Sequence, residues 1–176
     1  STDENPDHIY TQPGPHSVTL KVTTDDGTDT ITKEDLIVVT TNMLAIGGPA
    51  VDRAKALAEV SDGFVLAGDT QSSGAGGRDA YLVKVNRDGL RMWAKTFGGT
   101  RDDFANAMVR SADGGFLLAG GTNVDIVPST QQHMYLVRTD SSGNRVWSND
   151  YATANRQVAN AVLDLSGNGA VIAGSV

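Results

Sequence analysis

The sequence contains no cysteine, which excludes a disulfide framework, a thiolate metal site and a cysteine nucleophile. It has no apolar run near the roughly 20 residues that cross a bilayer, so no membrane span is predicted. Basic residues are few, 14 Lys and Arg against 21 Asp and Glu. This balance argues against a nucleic-acid partner, because such binding needs clustered basic side chains that displace counterions. Proline is also scarce, whereas 20 glycines indicate a chain rich in tight turns.

A short segment occurs three times along the chain. Residues 54–70, 105–122 and 159–175 align with one another, with an alanine at the start and a glycine near the end of each copy. The aligned alanines are Ala54, Ala105 and Ala159, and the aligned glycines are Gly68, Gly120 and Gly174. A fixed period of this length is the signature of a repeat architecture.

A second motif alternates with the first. Residues 81–99 match residues 135–152, and the largest side chains and the turn glycine coincide. The matched pairs are Tyr81 and Tyr135, Gly89 and Gly143, and Trp93 and Trp147. Each full unit of about 50 residues therefore contains two hairpins, since short runs rich in Val, Tyr and Trp flank Gly-containing turns.

One segment gives a conflicting signal. Residues 51–60 are rich in alanine and favour a helix by propensity. The aligned copies near Ala105 and Ala159 do not share that preference, so we predict a strand here.

Four strands per unit is the period of a β-propeller blade. The units resemble the β-propeller repeats of secreted and cell-surface proteins of bacteria and archaea. The resemblance implies two complete blades, at about 46–97 and 97–151, and an incomplete third at 152–176. A propeller closes with about four to eight blades. We therefore expect that the chain is a fragment of a larger protein, or that further copies or partners complete its packing.

Residues 1–42 do not share the repeat and resemble the C-terminal half of a PKD domain, an immunoglobulin-like sandwich. The resemblance rests on Asn5-Pro6, His8, Tyr10, Pro13-Gly14 and the alternating apolar residues of 18–22 before an Asp-Gly turn. His16 departs from the aromatic residue usual in that family, and the family's first half is absent. The predicted fold is thus all-β: a partial immunoglobulin-like sandwich at 1–42, a junction near 40–43, and about two and a half four-stranded blades within 43–176.

Carboxylates are the first candidates for a metal site, since a structural role is favoured for His8, which could meet His16 across a hairpin. Asp25, Asp26 and Asp29 offer the oxygen ligands that Ca²⁺ prefers, but the spacing of an EF-hand is missing. A turn and a solvated face are the favoured interpretation of these residues, as they are for 101–103. No cofactor is predicted.

Nothing in the sequence predicts an active site. The three histidines, His8, His16 and His133, have no zinc-protease spacing, and no nucleophile elbow occurs. The glycine-rich residues 74–79 lack the Lys-Ser/Thr of a phosphate loop and are interpreted as a blade loop. Trp93 and Trp147 could stack on sugars, yet their shared repeat position favours packing between neighbouring sheets.

The two resemblances together imply a non-catalytic extracellular or cell-surface module of a bacterium or archaeon. Adhesion, binding or envelope structure would be its role, with protein or glycan partners at blade loops or open sheet edges, or membership of a larger envelope assembly. The alternative is the accessory, non-catalytic region of a secreted hydrolase whose catalytic domain lies outside this chain.

Overall fold

The computed structural model describes the greater part of the chain, namely residues 14–39, 45–126, 129–151, 156–165 and 169–176. All of the regular secondary structure in these residues is β-strand, which confirms the prediction of an all-β chain. The chain divides into two compact units, Ser1–Ala45 and Ile46–Val176. Each unit is described by itself.

The first unit contains one antiparallel hairpin among its described residues. Strand β1 (Gly14–Thr24) pairs with β2 (Gly27–Val39) across a two-residue turn. Leu20 lies opposite Ile31, and both side chains are exposed. The predicted alternation therefore gives the hairpin an apolar face that the described part of this unit leaves uncovered. The sequence motif from Asn5 to Pro13 and the junction at 40–43 fall outside the described residues.

The described residues of the second unit form three antiparallel sheets whose strands follow chain order. The first sheet is β3 (Asp52–Val60), β4 (Gly63–Thr70), β5 (Asp79–Asn86) and β6 (Arg91–Phe97). The second sheet is β7 (Asp103–Arg110), β8 (Phe116–Ile126), β9 (Ser129–Thr139) and β10 (Arg145–Tyr151). The third sheet has two strands, β11 (Val158–Asp164) and β12 (Ala170–Ser175), and is called the third hairpin. The alanine-rich segment at 51–60 is thus strand, as predicted, and not helix.

The repeated alanines and glycines mark a close approach of the first two strands in each sheet. The pairing of these strands shifts register after Ala54, Ala105 and Ala159. A Cβ atom placed on the aligned glycine would lie 1.8, 1.9 or 2.0 Å from a carbonyl oxygen of the facing strand, at Gly68, Gly120 and Gly174 respectively. Only glycine fits there, since any larger residue would push the strands apart. The bulge and the glycine explain why this segment recurs.

The turn between the third and fourth strands is also built alike in both sheets. Asn86 Oδ1 accepts hydrogen bonds from the backbone N–H of Asp88 at 3.0 Å and of Leu90 at 2.8 Å. Asp140, at the equivalent position, accepts from the N–H of Ser142 at 2.9 Å and of Asn144 at 2.8 Å. A short polar side chain therefore fixes each turn by bonding to the backbone just after it.

Two cores lie on opposite faces of the second sheet. The core between the first and second sheets, called the covered junction, contains Val60, Val65, Ala67, Ala80, Leu82, Phe97, Ala105, Phe116, Leu118 and Val137. A smaller core between the second sheet and the third hairpin contains Leu117, Ala119, Leu136 and Ala159. Successive residues of a strand point to opposite faces, so the neighbours Leu117 and Leu118 belong to different cores.

Backbone hydrogen bonds join successive sheets at equivalent places. The N–H of Asp103 donates to the carbonyl of Arg78 at 2.6 Å, and the N–H of Gln157 donates to the carbonyl of Gln132 at 2.8 Å. Arg78 and Gln132 occupy the same position of the repeat, as do Asp103 and Gln157. The three sheets are therefore stacked face to face with a repeating geometry.

Candidate functional site

Each four-stranded sheet begins with an aspartate that holds the loop before it. Asp52 Oδ2 accepts hydrogen bonds from the N–H of Gly48 at 2.7 Å and from the hydroxyl of Ser72 at 2.8 Å. The hydroxyl of Thr70 donates to the other carboxylate oxygen. All of these partners lie in the loop or strand next to Asp52, so the carboxylate has a structural use.

The second sheet repeats this arrangement. Asp103 Oδ2 accepts from the N–H of Gly99 at 2.8 Å, and the hydroxyl of Thr122 donates to the same carboxylate. Glycine, aspartate and threonine thus recur at matching positions in the two sheets. In the third repeat Gln157 takes the place of the aspartate, so this repeat has no carboxylate at the equivalent position.

The two equivalent aspartates differ in acidity. Burial raises the pKa of Asp103 above its ordinary value of 3.8, and the nearby carboxylates of Asp79 and Asp102 add to this against the hydrogen bonds from Thr122 and Gly99. At Asp52 burial also raises the pKa, but the hydrogen bonds to its carboxylate lower it by more, so the pKa lies below 3.8. The difference follows from position, because Asp103 lies where two sheets meet.

The glycine-rich loop uses its own backbone donors. Asp79 is buried and accepts hydrogen bonds from the N–H of Ala75 at 3.3 Å and of Gly76 at 3.1 Å. A phosphate loop would point such N–H groups at a ligand. Here both N–H groups donate to the loop's own carboxylate, that of Asp79, and not to a ligand.

A buried carboxylate near the first strands of the sheets is paired with two partly exposed cations. Asp69 is fully buried and accepts from Arg53 Nη1 at 3.1 Å, while Lys55 Nζ lies 3.5 Å from its second oxygen. Lys55 and Arg78 also lie over the ring of Phe104, at 5.3 and 4.4 Å from its centroid. The buried negative charge is therefore paired, as burial requires.

A hydrogen-bonded row links the first strands of all three sheets. Lys55 Nζ donates to Asn106 Oδ1 at 2.8 Å. Asn106 Nδ2 in turn donates to the carbonyl of Ala159 at 3.0 Å and to Asn160 Oδ1 at 3.2 Å. Lys55, Asn106 and Asn160 hold the same repeat position, so one polar residue per sheet forms the row. Sequence reasoning missed it, although the recurring Ala-Asn-Ala was a usable signal.

The predicted calcium ligands lie on the first hairpin. Asp25 and Asp26 form its turn, and Asp29 lies on β2 opposite Val22, with its Oδ1 accepting from the N–H of Thr30 at 2.9 Å. Within the described ranges, no group of three or more His, Asp or Glu side chains is arranged to hold a metal ion. Calcium binding by these aspartates stays a prediction.

The histidines have separate surroundings. His8 lies outside the described residues, and His16 lies on β1 opposite Ile37. His133 is buried, with Nδ1 2.9 Å from Asp150 Oδ2 and Nε2 buried without a hydrogen-bond partner among the described residues. This pair joins neighbouring strands, with His133 on β9 and Asp150 on β10.

The two tryptophans are equivalent in sequence and differ in environment. Trp93 packs against the covered junction, and its indole ring lies over Gly143, the turn glycine of the second sheet. Trp147 is 40% exposed. The predicted packing between neighbouring sheets is therefore found at Trp93, and in the described residues it is not found at Trp147.

The exposed tryptophan lines a groove of about 490 Å³, which we call the open groove. One wall is the second sheet and the other is the third hairpin; the lining residues are Leu117, Leu136, Arg138, Trp147, Asn149, Tyr151, Asp164, Gly169, Ala170 and Ile172. Arg138 Nη2 contacts Asp113 Oδ2 at 2.7 Å, and its Nη1 lies 3.5 Å from Asp164 Oδ2 across the groove. The groove is thus apolar along its floor, aromatic at its rim and crossed by one ion pair. It suits an extended or flat apolar ligand with polar edges.

Comparison with known proteins supports one part of the chain. Residues 1–39 match the family model of the PKD domain, which is less than a quarter of the sequence. PKD domains are typically extracellular, non-catalytic modules often involved in adhesion or binding. No curated protein matches the chain. No helix in the described ranges is long and apolar enough to cross a membrane.

Proposed function

We propose that the protein is a non-catalytic module of the extracellular space or cell surface of a bacterium or archaeon. In this proposal a PKD-like region at 1–42 precedes propeller-type blades at 43–176, and the module serves adhesion, binding or envelope structure. Protein or glycan partners are held at the blade loops or the open sheet edges. The repeated sheets supply a rigid body that presents these surfaces.

The observation that carries this proposal is the PKD match at 1–39 in one chain with stacked four-stranded sheets. The side chains that recur between the sheets support it further. Asp52 and Asp103 bind loop backbone, and Lys55 and Asn106 bind one another. Residues that recur for such reasons maintain a scaffold, and function in a scaffold lies in its variable loops and edges.

The proposal is tested with the purified chain on solid surfaces. Cellulose, chitin and peptidoglycan are sedimented with increasing protein, and collagen and fibronectin are immobilised for capture, with serum albumin as the non-specific control. We expect saturable binding to at least one surface, without release of reducing sugars or peptides. Turnover by the chain, or no saturable binding to any of these surfaces, would overturn the proposal.

A further inference from the structure

We propose that the open groove binds a β-hairpin of the same repeat type as β9–β10. The first strand of this hairpin pairs with the free edge of β12, and its turn glycine lies on the ring of Trp147. The occupant is thus the second hairpin of a further copy of the repeat, with the pattern Tyr-Leu-Val, a Gly turn and Trp.

The covered junction shows how such a hairpin is held. There β9 and β10 of the second sheet lie against the first sheet, with Val137 in the shared core and Tyr135 packed against it. Gly143 lies under Trp93, where a Cβ atom would come within 2.7 Å of the ring carbons. Beside this contact, Lys95 Nζ donates to Asn144 Oδ1 at 3.0 Å. The indole ring of Trp93 therefore packs against a turn only if the turn residue above it is glycine, which has no side chain.

The open groove offers the same surface one repeat later. Leu136 and Trp147 are the repeat equivalents of Leu82 and Trp93, and Asn149 is the equivalent of Lys95. All three line the groove. In the described residues no turn lies over Trp147, so the surface that receives Gly143 at the covered junction is vacant here.

The edge of β12 supplies the backbone half of the site. In both four-stranded sheets the second strand pairs with the first and the third, as β8 does with β7 and β9. Its equivalent β12 pairs with β11 alone among the described strands. A strand added there would continue the sheet by main-chain hydrogen bonds, while the groove side chains give selectivity.

This inference rests on the proposed function, in which open sheet edges hold partners, and it names the occupant of one edge. Its failure is distinguishable from failure of that proposal. Binding to polysaccharides or matrix proteins through blade loops does not need the groove, so it persists if no hairpin binds.

The test titrates the whole chain into a fluorescently labelled synthetic peptide of residues 131–151, followed by anisotropy. We expect saturable binding of one peptide per chain. The same peptide carrying Gly143→Val binds at least about tenfold more weakly, since valine strains the positive-φ turn and also blocks its approach to Trp147. This comparison leaves the protein unchanged and so does not depend on the folding of any variant.

A matched pair of protein variants locates the site. Trp147 and Val146 are neighbours on β10, both exposed, and only Trp147 lines the groove. We expect Trp147→Ala to weaken peptide binding about tenfold and Val146→Ala to leave it unchanged. Equal binding of the two peptides, equal binding by the two variants, or no binding would overturn the inference. Concentration-dependent self-association that the peptide does not reverse would assign the groove to a second copy instead.

Discussion

The covered junction and the open groove are built from equivalent residues, yet they are packed to different extents. At the covered junction a full sheet lies against its neighbour, and ten buried apolar residues form one core. On the other face of the second sheet the described residues place a hairpin alone, and the buried core found among them has four members. Trp93 is packed in the first case and Trp147 is exposed in the second.

This difference shows that each repeat carries apolar residues for a neighbour on both faces of its sheet. Leu117 and Leu118 are both leucine, are adjacent on β8 and are both buried, but each depends on a different sheet for its contacts. The stability of one face is therefore set by what lies beyond it, as in other repeat arrays where each unit contacts only its neighbours.

The largest expected effect contrasts the two faces of β8. Leu118→Ala should lower the free energy of unfolding by about 3–5 kcal/mol, because it leaves a cavity inside the covered junction. Leu117→Ala should cost about 2 kcal/mol, because Leu117 lines the open groove and the space left joins solvent. Urea denaturation of both variants, followed by circular dichroism, measures the difference. Equal losses would show that the two faces are equally packed in solution.

The next effect concerns the glycine beneath Trp93. Gly143 and Gly114 both have positive φ, 76° and 85°, so alanine at either position strains the backbone. At Gly143 the new Cβ also meets the indole ring, whereas at Gly114 it meets the Cβ of Ser141 at an ordinary 3.6 Å. We expect Gly143→Ala to cost about 1 kcal/mol more than Gly114→Ala.

A double-mutant cycle controls this second prediction. In a Trp93→Ala background the extra cost of Gly143→Ala should vanish, since the ring that it meets is gone. If Gly143→Ala still lowers the free energy of unfolding by more than Gly114→Ala does, the difference comes from backbone strain at Gly143 and not from the ring of Trp93.

The smallest effect is a difference in pH dependence between Asp52 and Asp103. The pKa of Asp103 is raised in the folded state, so its contribution to stability falls as pH rises from 3.8 through that raised value. The pKa of Asp52 is lowered, so its contribution is present above 3.8 and is lost as pH falls through the lower value.

Relative to wild type, Asp103→Asn should therefore gain stability as pH rises above 3.8. Asp52→Asn should lose stability over the window below 3.8, as pH rises. Urea midpoints of both variants and of wild type, taken from pH 2.5 to 7, check this. Parallel curves for the two variants would mean that the junction between sheets leaves the acidity of Asp103 unaltered.

Much of the fold could be predicted from the sequence. The recurring Ala54 and Gly68 segment indicated paired strands, and the Gly89 and Gly143 turns indicated a second hairpin, because turn chemistry and period-two patterns are local. Even the conflict at 51–60 was resolved by comparing copies, since a true helix would keep its pattern in each. The PKD resemblance of the first residues was supported by an independent family match.

The candidate site could be predicted far less well. The ion pair of Arg138 and Asp164 joins residues of different sheets, and no spacing in the sequence predicts it. Trp93 and Trp147 share a motif, which predicts the same packing for both, but their exposure depends on the neighbouring sheet. Residue type alone indicates Asp25, Asp26 and Asp29 as calcium ligands, and on the hairpin Asp29 lies apart from the turn.

The sequence alone determined the strands, their turns and the side of each strand that carries apolar residues, because these depend on neighbours along the chain. Only the tertiary structure decided which of those apolar faces became core and which became groove. The physical reason is that burial is a property of pairs of sheets, and the repeat specifies both faces of each sheet without specifying that both are covered.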